Sequence, residues 1–439
     1  MRIILSDTAY KIRVEGKREP PLGLSSIAST LRLNGHEVFV MSPDLEGWSV
    51  SGTPNHLLKG KPDIIGLTIL DQNAKKALKI IKGLRRKGFK GYILLGGYWP
   101  SFNHREILEN FPEVDFCIRG EGEIPTLELL NALEGKTILE NVPSLSYRKG
   151  TTVIENPIET LNQDLDSLPF AARDYTNHVI RLGGAPAIYT GKGCPANCSF
   201  CDIVTFYRLA KGNKLRTRSP EKIIDEIEFL VRCFSQPHIT MVDDNFLMPG
   251  KRGEEFVDRF VEEIKNRNLH IKFDLMCRAD MIIATTFQKL KDVGLNRVFI
   301  GAESGHQRGL QTFNKRITVE ETYRAIEILH NLGITFTLGL ILVDPWTTFD
   351  EFTANVAFLN TVKKRFKSKD TIFSVTPKLI VHKNTPIFNQ LKQEGNLKGD
   401  WVNGYTYKVH SEIKLPLLLW QFLTEWQPRF IKKLYLQFQ

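Results

Sequence analysis

An α/β fold in two successive units, an N-terminal doubly wound parallel sheet and then a partial barrel of about six β/α repeats, is predicted by three observations. Runs of near-continuous Ile, Leu and Val alternate with helical patterns from residue 1 to about 135, and strands of that kind are buried on both faces. The alternation fades between Val142 and Pro186 and then restarts. The 439 residues also exceed what one hydrophobic core usually organises.

The first unit opens with "MRIILS". The next stretch, "PLGLSSIASTLRLNG", has Leu24, Ile27, Ala28 and Leu31 at helical spacing and Gly35 to close the helix. "HEVFVMS", "PDIIGLTIL", "GYILLGG" and "VDFCIRG" read as strands, with helical "NAKKALKIIKGLRRKG", "NHREILENF" and "IPTLELLNALEG" between and after them. Ligands of such sheets bind beyond the C-terminal strand ends. Three loops stand there: Thr68–Gln72, "GGYWPS" at Gly96–Ser101, and "RGEGE" at Arg119–Glu123. "VPSLSYRKGTTVIENP" then reads as a small hairpin and "LDSLPFAARDY" as an extended tether.

The second unit begins at "APAIYTGKG". Its helix "SPEKIIDEIEFLV" has Ser219 as N-cap, Pro220 at the first helical position, and Ile223, Ile224, Ile227, Leu230 and Val231 on one face. Strands "HITMVDD", "IKFDLMCRAD", "NRVFIGAESG", "TFTLGLILVD" and "TIFSVTPKLI" follow. Helices alternate with them, among them "TVEETYRAIEILHNLG" with a Thr318/Glu321 capping box. These repeats are too few for a closed eight-unit barrel, so a partial (β/α)6 barrel of the TIM type is expected. Asp243, Asp244, Arg278, Glu303 and Asp344 stand at its strand ends. The expected divisions are 1–140, a linker with a small hairpin over 141–185, the barrel over 186–370 and a C-terminal capping element over 371–439.

Composition is that of a soluble enzyme, 42% hydrophobic and 25% charged, which excludes disorder as the main state. No apolar run approaches the roughly 18 residues of a membrane span, and "MRIILS" is too short for a signal-peptide core. A cytoplasmic location is expected, where six cysteines serve as metal ligands, reactive thiols or small core residues rather than disulfides. Cys233 and Cys277 lie in apolar runs and read as core. The net charge of +10 is dispersed along the chain, so no nucleic-acid partner is expected.

Half of the cysteines fall in "GKGCPANCSFCDI", as Cys194-x3-Cys198-x2-Cys201 directly after the first barrel strand. A structural zinc site wants four ligands, usually as two CxxC-like pairs, and the next candidates, Cys233 and His238, lie beyond a whole helix. Three thiolates at this spacing suit a cubane iron–sulfur cluster with one iron left open.

On these residues the sequence resembles the radical S-adenosylmethionine enzymes, whose motif is CxxxCxΦC with an aromatic at Φ, here Phe200. The resemblance implies a [4Fe-4S] cluster on Cys194, Cys198 and Cys201. S-adenosylmethionine would chelate the open iron and be cleaved reductively to a 5′-deoxyadenosyl radical that takes hydrogen from an unactivated carbon. It further implies that Asp243 and Asp244 hold the methionine ammonium in place of the commoner Gly-Gly-Glu. Arg278, Glu303 and Ser304 would approach the methionyl or ribose part, and Leu340 the adenine, although Asp344-Pro345-Trp346 departs from the usual Pro-Gly-Glu-Thr-like turn.

The first unit resembles the Rossmann-like cobalamin-binding domain that precedes the radical half in one large branch of these enzymes. "PPLGLSSIASTLRLNGHEV", "PDIIGLT", "LLGGYWPS" and "VDFCIRGEGE" stand in its order. The resemblance implies cobalamin contacts at Thr68, Leu70 and Gln72, at Gly96, Gly97 and Tyr98, and at Gly120, Glu121, Gly122 and Glu123. No Asp-x-His occurs in the chain, so the lower face of cobalt should lack a His ligand and face the Thr68–Gln72 loop.

The implied activity is methyl transfer to an unactivated carbon of a small molecule or peptide from cobalamin (methylcobalamin or hydroxocobalamin as bound), with one S-adenosylmethionine making the radical, another recharging cobalt with methyl, and a flavodoxin- or ferredoxin-type reductant. The alternative is cyclisation, ring contraction or another rearrangement with no methyl delivered. The aromatic, amphipathic "KLPLLLWQFLTEWQPRFIKKLYLQF" reads first as a cover for the barrel or substrate channel and second as a peripheral membrane contact for a lipid substrate.

Overall fold

The computed structural model describes residues 1–8, 21–366 and 371–421. The first sheet holds seven strands, β1 (Arg2–Ser6), β2 (Glu37–Met41), β3 (Ile64–Thr68), β4 (Tyr92–Gly96), β5 (Phe116–Ile118), β6 (Leu145–Lys149) and β7 (Thr152–Glu155), in the order β2-β1-β3-β4-β5-β6-β7. The first five run parallel, as the continuous apolar runs require. Separate apolar layers cover the two faces, one built around Leu24, Ala28, Leu31 and Leu129, the other around Ala77, Ile80, Ile81 and Trp99. The hairpin expected in the linker forms as β6 and β7 and lies antiparallel along β5. Phe116, Cys117 and Ile118 are all buried, so β5 needs a neighbour on that side and the hairpin supplies it.

The second sheet is β8 (Ala187–Ile188), β11 (His238–Met241), β12 (Lys272–Arg278), β13 (Leu295–Glu303), β14 (Thr335–Ile341) and β15 (Thr371–Thr376), in the order β15-β14-β13-β12-β11-β8. All pairs are parallel, giving six strands of an open barrel. Between its first two strands the chain forms a short antiparallel ribbon, β9 (Gly191–Lys192) with β10 (Arg216–Thr217). Beyond the barrel lies a second ribbon, β16 (Leu397–Asp400) with β17 (Gly404–Tyr407).

The helix signals hold locally: Ser219 accepts from Lys222 N, and Thr318 and Glu321 close a reciprocal capping box. Two readings change. "GGYWPS" is not a loop: β4 ends at Gly96, Gly97 takes φ +93°, and Tyr98 already begins the helix Tyr98–Asn110. Pro100 sits in the first turn of that helix, where a missing N–H costs nothing. Cys233 is exposed rather than core. It lies in the last turn of the helix Pro220–Phe234, to the side of the buried stripe Ile223, Ile227 and Leu230. Cys277 is buried on β12 as expected. No helix among the described residues is long and apolar enough to cross a membrane.

Candidate active site

The cysteine loop is held from both sides of the barrel mouth. Asp243, two residues past β11, accepts from Thr190 N at 2.6 Å, Thr190 Oγ1 at 2.7 Å and Gly191 N at 2.8 Å, and Asp244 accepts from Gly193 N at 3.0 Å. Burial pushes both carboxyls up to about 6, against the pull of these donors. The two aspartates therefore brace the backbone entering the cysteine loop, a structural task beyond the cosubstrate contact the motif implied. Gly193 has φ +88°, and a Cβ there would lie 2.0 Å from Lys214 O. Further along, Ser199 N donates to Phe313 O and Ile387 N to Ser199 O, while the Phe200 ring meets Phe313 edge-on at 5.1 Å.

Tetrahedral zinc with Zn–S of about 2.3 Å would draw its sulfurs to within roughly 3.8 Å of one another. Among the described residues, the trio of metal-capable ligand atoms lying within 4.8 Å of one another is Asp71, Asp202 and His382, not the three thiols. Burial pushes the Cys194 and Cys201 thiols up, and Cys198 stands near enough to both for its charge to push them up further, so thiolates here need nearby positive charge. Arg278, 8% exposed, supplies it beside Cys198, and it is held by Asp280 and by Lys315 O.

At the end of β13 Glu303 takes φ +65°, left-handed for a non-glycine residue, where the register with β14 shifts. Strain of this kind clusters at functional sites. Its carboxylate lies 3.0 Å from buried Lys315 Nζ. Ser304 is buried and bonded to Asn355. Leu340 is packed in the barrel core. Asp344 is paired with Arg308 at 3.1 Å and accepts from Trp346 N.

In the first unit an apolar pocket of about 280 Å³ opens at the strand ends, lined by Thr68, Leu70, Gly96, Gly97, Tyr98 and the Gly120–Glu123 loop. Gly96 faces open space, with nothing within 4 Å of where a Cβ would stand, which is what close approach of a flat ligand needs. Gly97 serves the fold instead, since a Cβ there would lie 2.8 Å from Thr68 Oγ1. Gln72 is exposed and does not line the pocket. Phe206 and Tyr207, on the helix that directly follows Cys201, form the opposite wall, and the Phe206 ring packs tilted against Tyr98 with centroids 4.5 Å apart. The pocket therefore lies against the cysteine loop.

Several residues of the site carried no sequence signal. Lys192 and Arg216 engage Glu121 and Glu123, and Lys315 pairs with Glu303. His382 bonds Asp71 at 2.8 Å and lies 3.5 Å from Asp202, joining the Thr68–Gln72 segment to the residue after Cys201. Burial opposes the charged imidazole, yet the two carboxylates hold its pKa above the ordinary value. Each is an isolated polar residue in its own segment, and only the fold brings it to the site.

A doubly wound domain with a pocket at its strand ends thus lies beside a partial barrel with three thiols at its mouth, the layout of an enzyme with two ligand sites. Residues 188–359 match the radical SAM superfamily and residues 12–130 match the B12 binding domain. It is 28% identical over 365 residues to an uncharacterised methyltransferase of Pyrococcus horikoshii, covering 82% of this chain and 77% of that one. It is 28% identical over 339 residues to the hopanoid C-3 methylase of Methylococcus capsulatus, covering 75% of this chain and 62% of the methylase. Anaerobic magnesium-protoporphyrin IX monomethyl ester cyclases match as well. The fold is that of the cobalamin-dependent S-adenosylmethionine radical enzyme OxsB with aqua-cobalamin bound, at TM-score 0.81 and 22% identity over 99% of this chain and 70% of OxsB. The cofactors of these two matched domains are a [4Fe-4S] cluster with S-adenosylmethionine and cobalamin, and the three thiols and the open Gly96 pocket suit them.

Proposed function

We propose that this chain is a C-methyltransferase acting on an unactivated carbon of a small molecule or peptide. The observation that carries the reading is the shared wall: Phe206 and Tyr207 close the Gly96 pocket and belong to the helix that begins immediately after Cys201. Two ligand sites separated by one helical turn suit group transfer between them better than two independent reactions.

Cobalamin supplies a transferable methyl and the cluster supplies the electron that cleaves S-adenosylmethionine. The chain's residues orient and shield. Cys194, Cys198 and Cys201 hold the cluster, and Arg278 and Lys315 offset its charge. Asp243 and Asp244 fix the loop, and Glu303 and Ser304 stand at the strand end where the cosubstrate would lie. Thr68, Leu70, Gly96, Tyr98 and the Gly120–Glu123 loop would hold cobalamin. Dispersed basic charge would receive an acidic flavodoxin- or ferredoxin-type reductant. The peripheral membrane contact foreseen for the C-terminus falls mostly on residues 422–439, outside the described residues.

The test is product mass with S-adenosylmethionine labelled as CD3. The proposal requires one labelled methyl in the product, with S-adenosylhomocysteine and 5′-deoxyadenosine both formed. A rearranged or cyclised product with no label assigns the chain to the cyclase-like alternative.

A further inference from the structure

Two carboxylates of the first domain and two cations of the β9–β10 ribbon form a buried chain of ion pairs, Arg216–Glu121–Lys192–Glu123, across the domain boundary. Glu121 grips Arg216 through two bonds of 2.9 Å, while Lys192 donates to Glu123 at 2.8 Å and lies 3.3 Å from Glu121. None of the four side chains is more than 15% exposed. Ser26 Oγ holds Glu123 from behind at 2.8 Å. Lys192 and Arg216 are register partners across β9 and β10. Like charges directly opposite on a ribbon repel, so the groups that neutralise this ribbon come from the other domain. Desolvated networks of this kind depend on every member being present.

This chain of ion pairs touches both cofactor sites. On one side Glu121, Glu123 and Lys192 line the Gly96 pocket. On the other, Lys192 is two residues from Cys194 on a ribbon with little room to deform. A side chain at Gly191 would come 2.7 Å from Arg216 O, and one at Gly193 2.0 Å from Lys214 O. A displacement of the Gly120–Glu123 loop is therefore passed to the cysteine loop rather than absorbed by the ribbon.

We propose that the Arg216–Glu121–Lys192–Glu123 chain of ion pairs couples the two sites: an occupant of the Gly96 pocket sets the Gly120–Glu123 loop, and the ion pairs carry that setting to the cysteine loop. The coupling rests on the assignment of cobalamin and the cluster to these sites and is independent of whether a methyl is delivered. The four residues are positioning residues.

The test measures binding, not turnover. The full chain is reconstituted anaerobically with its cluster left oxidised, and its S-adenosylmethionine affinity is measured by calorimetry with and without hydroxocobalamin. Hydroxocobalamin should change that affinity at least about five-fold in the parent protein, the lower end of ordinary site-to-site coupling. With each variant saturated with hydroxocobalamin, as its own spectroscopic titration establishes, Lys192→Arg should keep the effect, whereas Lys192→Met and Glu123→Gln should bring the ratio close to one. An effect that persists in either neutral variant, as direct contact between the two ligands would give, overturns the proposal. So does a parent protein whose two affinities are the same. Failure of the parent to bind hydroxocobalamin at all refutes the cofactor assignment itself, and the coupling falls with it.

Discussion

Arg278 Nη1 lies 3.9 Å from the sulfur of Cys198. Asp280 grips the same guanidinium from the solvent side and Lys315 O from within, so the charge cannot swing away. A fixed cation beside a cluster thiolate favours the reduced, more negative cluster. Arg278→Gln should leave iron content intact and make the cluster harder to reduce. Dithionite titration followed by electron paramagnetic resonance checks it, and an unchanged midpoint would count against the role.

Gly193→Ala should disturb the cysteine loop at its root. The residue sits at φ +88°, and its new Cβ would meet Lys214 O at 2.0 Å. The backbone strain alone amounts to about 1–3 kcal/mol. A lower melting temperature together with poor iron retention is expected, whereas Gly35→Ala, with open space around it, should cost stability without losing iron.

Gly96→Leu should fill the pocket rather than unfold the domain, because nothing lies within 4 Å of that site. Cobalamin affinity should fall at least about ten-fold, roughly 1.4 kcal/mol, while reductive cleavage of S-adenosylmethionine continues. Spectroscopic titration with hydroxocobalamin reads the first and deoxyadenosine yield the second. Cobalamin binding unaffected by the substitution would move the corrinoid site elsewhere.

Both units, their strand order along the chain and the cysteine trio were legible in the sequence, because buried parallel strands and clustered cysteines leave strong local patterns. What escaped reading depends on pairing at a distance. Nothing near Lys192 announces Glu123, 69 positions away, and nothing near His382 announces Asp71, 311 positions away. The "GGYWPS" segment was misjudged because Gly and Pro mark a loop and the first turn of a helix equally well. Cys233 was misjudged because an apolar run on a helix says less than position around the helix.

Acid should weaken the barrel through Glu351. Burial by itself would raise its carboxyl, but the Arg308 guanidinium, bonded at 2.6 and 2.7 Å, and Thr348 N hold it at about 2. A folded pKa below the unfolded value of 4.5 gives stability that is complete above about pH 4.5 and is lost as pH falls towards 2. At about 1.4 kcal/mol per unit, and discounted for water at this partly exposed pair, the contribution is about 2 kcal/mol. Denaturant unfolding between pH 6 and about pH 3 should show a shallower decline for Glu351→Gln than for the parent. Parallel curves would contradict the assignment.

The account turns on three thiols holding an open-cornered cluster next to a corrinoid pocket. The most direct measurement is metal, sulfide and visible-spectrum analysis of anaerobically reconstituted protein, followed by reduction with S-adenosylmethionine present. The account predicts about four irons and four sulfides per chain, one bound corrinoid, and 5′-deoxyadenosine on reduction, with the iron lost in Cys198→Ala. One zinc held by the three cysteines, with S-adenosylmethionine left whole under strong reductant, would contradict it.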